Sequence, residues 1–260
     1  MSIAPELSLI IPAYNEAKGI RRTLEATQEY LDRSGLTYEI IVAADGNDGT
    51  REIVGELARA DTRLHVIGDA ERGGKGRGIR RGVAQSTGRI IGFADADYKT
   101  PIEELDKVFP WFQEGFDVVI GSRGMAESRI ECPQAIYRRL GSSAFAIGMH
   151  LVLGLWGIRD TQCGFKFFRR DVAKDLFSRQ RIDGYMFDVE ILHLAERSHY
   201  KIKEVGVRWR DDGDSRLDLV SGNWRNLLDV LKVRFGSPTP AATPERNKVK
   251  PTTESTRRAA

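Results

Sequence analysis

The sequence predicts an α/β fold in which a mixed, mostly parallel sheet is flanked by helices. Short apolar runs typical of buried strands alternate with segments of helical periodicity, at intervals of roughly 20–30 residues, through the first half of the chain. Such alternation is typical of parallel sheets whose crossover connections are helices. A length of 260 residues suits one large core, so we expect a single domain.

The first half contains the clearest elements. Five buried strands are predicted from apolar and β-branched runs: Leu7–Ile11, Tyr38–Ala44, Leu64–Ile67, Ile90–Ala94 and Asp117–Gly121. The intervening segments predict four helices: Ala17–Leu31, Arg51–Ala60, a helix that follows the turn Gly73–Gly78 and ends near Ser86, and a helix from Pro101 to Gln113. Asp48 is expected to cap the second of these helices.

The second half is less regular. The polar segment Ser122–Gln134 predicts a long loop that is a candidate lid. The remaining predicted elements are the helices Ile136–Leu155, Val189–Ser198 and Trp224–Phe235, the strands Phe165–Phe168 and Lys201–Arg208, and the acidic loop Asp211–Ser215. We expect residues 1–236 to form the domain. Residues 237–260 are rich in Pro, Thr and charge, which predicts a disordered tail.

The charge distribution argues against nucleic-acid binding. The net charge is +3, and the five basic and two acidic residues of 237–260 account for all of it, leaving 35 of each sign in the predicted domain. A nucleic-acid binder is expected to carry its excess positive charge on the folded part. The two cysteines, Cys132 and Cys163, have no metal-ligand or disulfide pattern and fit a reducing compartment.

No segment predicts a signal peptide or a membrane-spanning helix. The N-terminus lacks a basic region followed by an apolar one. The longest apolar stretch, Ala144–Ile158, is interrupted by His150 and by glycines, and it is shorter than the roughly 20 residues that a spanning helix needs. This stretch is either a core helix or a partial contact with a membrane interface.

Two carboxylates follow the fourth strand. Asp95 and Asp97 are separated by one small residue at the strand's carboxyl end, where open α/β sheets bind ligands. Two hard oxygen donors this close suit Mg²⁺ or Mn²⁺ carrying a diphosphate. The alternative is an Asx-type turn that only ends the strand.

Polar residues also follow the first two strands. Tyr14 offers an aromatic ring and a hydroxyl near Asp45, which together form a plausible slot for a base and ribose. Lys75 and the amides of its glycine-rich turn are candidates for phosphate contact, with a solvent-facing turn as the alternative. The dinucleotide fingerprint is absent from the first strand–helix unit, and the P-loop pattern is absent altogether.

Several motifs in series resemble a known family. P-A-Y-N-E (12–16), D-G-N-D-G-T (45–50), D-A-D (95–97) and V-I-G-S-R (119–123) resemble family 2 glycosyltransferases of the GT-A fold. Three further segments are more specific: G-I-R-D-T-Q-C-G-F-K-F-F (157–168), F-D-V-E (187–190) and D-G-D-S-R-L (212–217). They resemble dolichyl-phosphate β-glucosyltransferases and, less closely, dolichyl-phosphate mannose synthases. The resemblance covers about residues 6–235.

The resemblance implies roles for individual residues. The nucleotide would be held by Pro12, Tyr14, Glu16 and Asp45. Asp95 and Asp97 would bind the metal and diphosphate, with the Ala96 backbone beside them. The positions that receive the acceptor's phosphate in the family correspond to Arg123, Arg138 and Ser142. The basic residues that close over the donor diphosphate correspond to Arg210 and Arg216. One departure is that Ala44 precedes Asp45, where the family usually has paired acids.

These roles imply a metal-dependent, inverting transfer of one hexose at the cytoplasmic membrane surface. The expected donor is UDP-glucose, and the expected acceptor is a polyprenyl or dolichyl phosphate. An ionised phosphate monoester is already a nucleophile near neutral pH, so the enzyme mainly needs cations that align two phosphates, a task that suits arginine. The Q-x-x-R-W signature of processive synthases is missing, which favours a single transfer.

The sequence leaves several alternatives open. A hydroxyl acceptor would need a general base, for which Asp188 is the candidate; otherwise Asp188 caps the helix that begins at Val189. The segment Asp160–Gln162 either shapes the acceptor pocket or is a structural turn. Other functions to weigh are a GDP-mannose-dependent synthase and a non-catalytic protein that binds nucleotide sugars.

Overall fold

The computed structural model describes residues 4–131, 152–210, 229–231 and 233–235. Its nine strands are β1 (Leu7–Tyr14), β2 (Tyr38–Asp45), β3 (Leu64–Ile67), β4 (Ile90–Ala94), β5 (Val118–Ser122), β6 (Arg129–Ile130), β7 (Phe165–Arg169), β8 (Ile202–Gly206) and β9 (Arg208–Trp209). Seven of them form one sheet in the order β3-β2-β1-β4-β7-β5-β8. β6 and β9 pair separately.

The large sheet is mixed and mostly parallel, as predicted. β1 pairs in parallel with β2 and β4, β2 with β3, and β5 with β8. β7 is antiparallel to both of its neighbours, β4 and β5. The interior strand β1 is buried on both faces, which explains its apolar run.

Helices cover both faces of the sheet. They are α1 (Ile20–Ser34), α2 (Thr50–Ala60), α3 (Lys75–Gln85), a 3-10 helix (Ile102–Lys107), α4 (Phe109–Gln113), α5 (Arg170–Arg179) and α6 (Phe187–Arg197). One core packs α1, α2, the 3-10 helix and α4 against one face. A second core packs α3, α5 and α6 against the other face. The carboxyl ends of β1, β2 and β4 therefore open at one edge between these two layers.

Three of the predicted helices, strands and loops differ from the structure. The helix predicted from Pro101 to Gln113 is broken into the 3-10 helix and α4, because Pro110 has no backbone N–H to donate to the preceding turn. The predicted strand Lys201–Arg208 divides into β8 and β9. Part of the predicted loop Ser122–Gln134 forms β6 and pairs with β9.

Asp48 is close to the start of α2 but is not its cap. The N-cap position is Gly49, with a positive φ of 94°. Asp48 Oδ1 accepts the backbone N–H of Thr50, while Oδ2 accepts the N–H of Ala17. The carboxylate therefore connects the start of α2 to the turn that leads into α1.

Several predictions lie wholly or partly outside the described residues. These are most of the helix Ile136–Leu155, the end of the candidate lid, the acidic loop Asp211–Ser215, most of the helix Trp224–Phe235, and the tail 237–260. Within the described part of the chain, no helix combines the length and apolarity needed to cross a bilayer.

Candidate active site

The D-A-D segment lies directly after the buried strand β4. The side chains of Asp95 and Asp97 are 38% and 40% exposed, so both carboxylates reach the rim of the sheet. The backbone N–H of Asp95 donates to the carbonyl of Gly164. Ala96 is buried, and its carbonyl accepts a 2.8 Å hydrogen bond from the Thr23 hydroxyl on α1. These contacts fix the segment from α1 and from the residue that precedes β7.

The Asx-type turn is present at Asp97. Its Oδ1 accepts the backbone N–H of Lys99 at 3.2 Å, and its Oδ2 lies 3.3 Å from the Lys99 ammonium. Burial and the neighbouring charge of Asp95 raise the pKa of Asp97. The turn and a ligand-binding role are therefore compatible, since two carboxylates held this close repel each other until a cation neutralises them.

Lys75 connects α3 to the D-A-D segment. Its ammonium lies 2.6 Å from Asp95 Oδ1 and 3.9 Å from Asp188 Oδ2. Burial opposes the charged ammonium, but the nearby carboxylates of Asp95 and Asp188 outweigh it and raise the pKa of Lys75. Lys75 is the first residue of α3, so the glycine-rich turn and β4 meet at this ion pair, and the solvent-facing alternative for Lys75 is wrong.

Asp188 is a buried counter-ion and not a helix cap. The helix α6 begins at Phe187 with Met186 at the N-cap, which places Asp188 in the first turn. Its Oδ1 accepts a 2.6 Å bond from the ammonium of Lys166, a lysine whose side chain is completely buried. Burial raises the pKa of Asp188, although Lys166 and Lys75 act in the opposite direction.

The residues at this edge fit a divalent cation. Two carboxylates in an open rim supply hard oxygen donors. Burial and the neighbouring charge of Asp95 both raise the pKa of Asp97, and a bound divalent cation would offset both effects. Among the described residues no group of three or more His, Cys, Asp or Glu side chains could hold a metal. Any further ligands would come from the substrate's phosphates and from water, as is usual for Mg²⁺.

Arg123 follows β5 and forms a bidentate pair with Asp160. Arg123 Nε and Nη2 donate to the two carboxylate oxygens at 2.7 and 2.8 Å, and its backbone N–H donates to Asp160 as well. Burial alone would raise the pKa of Asp160, but the charge of Arg123 lowers it to about 2. Burial alone would lower the pKa of Arg123, but the charge and the hydrogen bonds of Asp160 raise it. The segment that carries Asp160 also contacts the D-A-D segment, since the Gly164 carbonyl accepts the backbone N–H of Asp95.

The predicted nucleotide residues lie at the ends of β1 and β2. Tyr14 and Asp45 are register partners in the parallel pair. The Asp45 carboxylate accepts the backbone N–H groups of Asp69 and Gly73, at 3.1 and 2.8 Å, so it anchors the loop before α3. The guanidinium of Arg72, in the same loop, lies over the Tyr14 ring at 4.5 Å.

Other predicted residues are placed as follows. Pro12 pairs with Ala43 within the sheet, and the backbone N–H of Glu16 donates to the Thr50 hydroxyl. The backbone N–H of Arg210 donates to the carbonyl of Lys99, which brings Arg210 next to the D-A-D turn. Three predicted residues lie outside the described part of the chain: Arg138, Ser142 and Arg216.

Sequence reasoning missed the positioning contacts of Thr23, Lys166 and Arg72. Lys166 carries a signal in retrospect, because a lysine within the apolar run F-K-F-F must find a buried partner. The sequence carries no signal for the Thr23 contact, since a threonine on an amphipathic helix does not indicate a hydrogen bond to a carbonyl 73 residues away.

Comparison with known proteins identifies the family. A model described as "Glycosyl transferase family 2" matches residues 8–177. The chain belongs to glycosyl transferase family 2. It is therefore a glycosyltransferase, as the motif series indicated, and the family does not favour the non-catalytic alternative.

Within this family, the chain is similar to several dolichyl-phosphate beta-glucosyltransferases. Dolichyl-phosphate beta-glucosyltransferases from Trichomonas vaginalis and Homo sapiens are 33% and 32% identical to this chain over 243 and 249 residues. These alignments cover 87% and 88% of this chain and 72% and 75% of the relatives. A similar protein from Drosophila melanogaster is 33% identical over 231 residues, with 82% and 69% covered.

Solved structures confirm the GT-A fold. Glucosyl-3-phosphoglycerate synthase from Mycobacterium tuberculosis, in complex with UDP, matches with a TM-score of 0.66 at 23% identity, covering 90% of this chain and 82% of that one. The same enzyme with Mn²⁺, UDP and glucosyl-3-phosphoglycerate gives 0.65 at 22% identity, with 90% and 81% covered.

Proposed function

We propose that this family 2 glycosyltransferase transfers one glucose from UDP-glucose to a polyprenyl or dolichyl phosphate, with a divalent cation and with inversion at C1. The named activity of relatives at 32–33% identity supports the acceptor class and the sugar. The complexes of structurally similar enzymes with UDP and Mn²⁺ are consistent with the nucleotide and the metal.

One geometric observation carries the proposal furthest. The short segment 160–164 contacts both proposed phosphate sites, because Asp160 holds Arg123 and the Gly164 carbonyl accepts the backbone N–H of Asp95. Such a link suits a site for two phosphates, with the carboxylate pair on the donor side and the guanidinium on the acceptor side. Arg123 is held rigidly by Asp160, so little side-chain entropy is lost when it binds a second anion.

The chain's own residues provide the electrostatics of the reaction. When bound at Asp95 and Asp97, a divalent cation would neutralise the donor diphosphate. The Lys75 ammonium adds a fixed positive charge beside the same carboxylate. Arg123 would orient the acceptor's phosphate, and Arg210 and Arg216 would supply positive charge over the diphosphate.

The proposed transfer of glucose needs no general base. An oxygen of the ionised acceptor phosphate forms a bond to C1 of glucose, while the bond from C1 to the diphosphate oxygen breaks and UDP leaves with the electron pair. No proton has to be removed, because the monoester is already ionised near neutral pH. Attack from the face opposite an α-linked leaving group gives a β-linked product.

Under this proposal Asp188 acts as an anchor. Its carboxylate faces two ammonium groups and its side chain is 4% exposed, so its negative charge holds Lys166 and Lys75 in place.

A polyprenyl tail resides in a bilayer, so we place the reaction at the cytoplasmic face of a membrane with the protein in peripheral contact.

A panel assay tests the proposal. The purified protein is incubated with labelled UDP-glucose or GDP-mannose, with Mn²⁺ or Mg²⁺, and with dolichyl phosphate, dolichol or 3-phosphoglycerate as acceptor. We expect labelled lipid only with UDP-glucose and dolichyl phosphate, and the anomeric configuration of that product reports on inversion. Transfer to dolichol would favour the hydroxyl-acceptor mechanism, and transfer from GDP-mannose would favour the mannose synthase.

A further inference from the structure

Glu190 is a buried carboxylate that the proposed reaction does not use. It lies in α6 and is only 6% exposed. Its Oε1 accepts the backbone N–H of Arg181 at 3.0 Å, and its Oε2 accepts the backbone N–H of Ile182 at 2.9 Å. Both oxygens are therefore bound to consecutive peptide groups of the segment 180–183, which begins the connection between α5 and α6.

This segment packs tightly against the first turn of α3. The carbonyl of Asp183 accepts the backbone N–H of Arg77, and the Asp183 carboxylate lies 2.7 Å from Arg80. A Cβ on Gly74 would come within 2.3 Å of the Asp183 carbonyl oxygen, and one on Gly76 within 2.5 Å of the Ile182 carbonyl oxygen. Both glycines permit a close backbone approach that any side chain would block.

The first turn of α3 carries Lys75, whose ammonium pairs with Asp95. Side chains two residues apart are rotated by about 200° around the helix axis, so they lie on nearly opposite faces. Asp188 accordingly faces Lys75 and Lys166, whereas Glu190 faces the backbone that supports the helix on which Lys75 lies. The motif F-D-V-E thus acts on Lys75 both directly and through the segment 180–183.

We propose that Glu190 is a positioning residue for the donor site: it holds the segment 180–183 against α3 and so keeps Lys75 at Asp95. The consequence for catalysis rests on the proposed function, because it assumes that Lys75 serves the donor diphosphate. The placement of Lys75 itself does not depend on which reaction the enzyme performs.

Lysine acetylation tests the placement without any substrate. Acetylation rates are measured by mass spectrometry for Lys75 and Lys99, whose side chains are 15% and 16% exposed and each paired with one carboxylate of the D-A-D segment. Glu190→Gln keeps the shape of the side chain but turns an amide N–H₂ toward one of the two backbone donors. We expect the Lys75 rate to rise about tenfold, the equivalent of about 1.4 kcal/mol, with the Lys99 rate unchanged.

Glu39→Gln is the matched control. Glu39 also accepts a backbone N–H, from Thr87 at 2.7 Å, but it lies near the start of β2, away from the carboxyl edge that carries the site. This variant should leave the Lys75 rate unchanged. If Glu190→Gln does not fold, Glu190→Asp replaces it, because the shorter side chain keeps the charge and loses the reach. An unchanged Lys75 rate, or equal increases for Lys75 and Lys99, would overturn the proposal.

Kinetic measurements distinguish a failure of the Glu190 proposal from a failure of the proposed function. In Glu190→Gln we expect the KM for UDP-glucose to rise about tenfold while the KM for the lipid phosphate stays unchanged. A residue that only stabilised the fold would lower the active fraction and leave both KM values alone, which would count against positioning. If the wild-type protein transfers no glucose at all, the proposed function fails, and the acetylation result still decides the role of Glu190.

Discussion

Lys75 and Asp95 form an ion pair, 2.6 Å between Nζ and Oδ1, at the edge of the sheet where the carboxyl ends of β1, β2 and β4 open. The lysine begins α3 and the aspartate follows β4, so the pair joins the glycine-rich turn to the D-A-D segment. A fixed positive charge thus lies beside the carboxylates proposed to bind the metal. Bringing a diphosphate to this edge costs less repulsion with Lys75 than without it.

Removing the Lys75 charge should weaken use of the donor. Lys75→Met keeps much of the side-chain volume but leaves Asp95 and Asp188 without their shared cation. We expect kcat/KM for UDP-glucose to fall about 100-fold, equivalent to about 2.7 kcal/mol. Lys174→Met is the control, because Lys174 Nζ bonds backbone carbonyls at the far end of α3. Equal losses in both variants would refute a local role for Lys75.

Thr23→Val should disturb the D-A-D segment without creating a cavity in the core. The variant keeps the shape of the side chain and removes the 2.8 Å hydrogen bond to the Ala96 carbonyl, a loss of about 1 kcal/mol. We expect the Mn²⁺ concentration that supports half-maximal activity to rise several-fold. Thr27→Val, one turn along α1 and also buried, is the control. A shift of the same size in Thr27→Val would mean that α1 acts only through stability.

The ion pair between Arg123 and Asp160 predicts a specific response to acid. Arg123 lowers the pKa of Asp160 to about 2 in the folded protein, against about 3.9 in an unfolded chain. Because the folded value is depressed, the stabilisation is complete above pH ~4 and is lost as the pH falls toward ~2; its size is about 2 kcal/mol. Urea unfolding of wild type and Asp160→Asn should therefore converge as the pH falls over this range. A constant gap would contradict the assignment.

Arg123→Lys tests the acceptor side. A lysine keeps the charge but cannot form both bonds to Asp160. We expect the KM for the lipid phosphate to rise about tenfold, roughly 1.4 kcal/mol, with the KM for UDP-glucose nearly unchanged. Initial rates at varied concentrations of each substrate measure both constants. Equal increases in the two KM values would show that Arg123 is not specific to the acceptor.

The strands were predictable because burial leaves a direct mark on the sequence. Leu64–Ile67 and Ile90–Ala94 match β3 and β4 residue for residue. The direction of β7 was not predictable, since the apolar run Phe165–Phe168 records burial on both faces but not which way the strand runs between β4 and β5.

The candidate site was predictable to the extent that short motifs carry chemistry. Asp95, Asp97, Lys75 and Arg123 could be named from their motifs, and the structure brings these four to one edge. Their partners could not be named: Asp160 lies 37 residues after Arg123 in the chain, and Glu190 acts on Lys75 through backbone groups of another segment. Only the fold determines such contacts.

The most direct measurement compares wild type with Asp97→Asn in the transfer of labelled glucose from UDP-glucose to dolichyl phosphate, each with Mn²⁺ and with a chelator. The variant keeps the side-chain size and removes one of the two charges proposed to bind the metal. We predict transfer by wild type only with Mn²⁺, and a loss of at least about 100-fold in the variant, roughly 2.7 kcal/mol, at an unchanged melting temperature. Transfer that persists undiminished in the chelator or in Asp97→Asn would contradict the account.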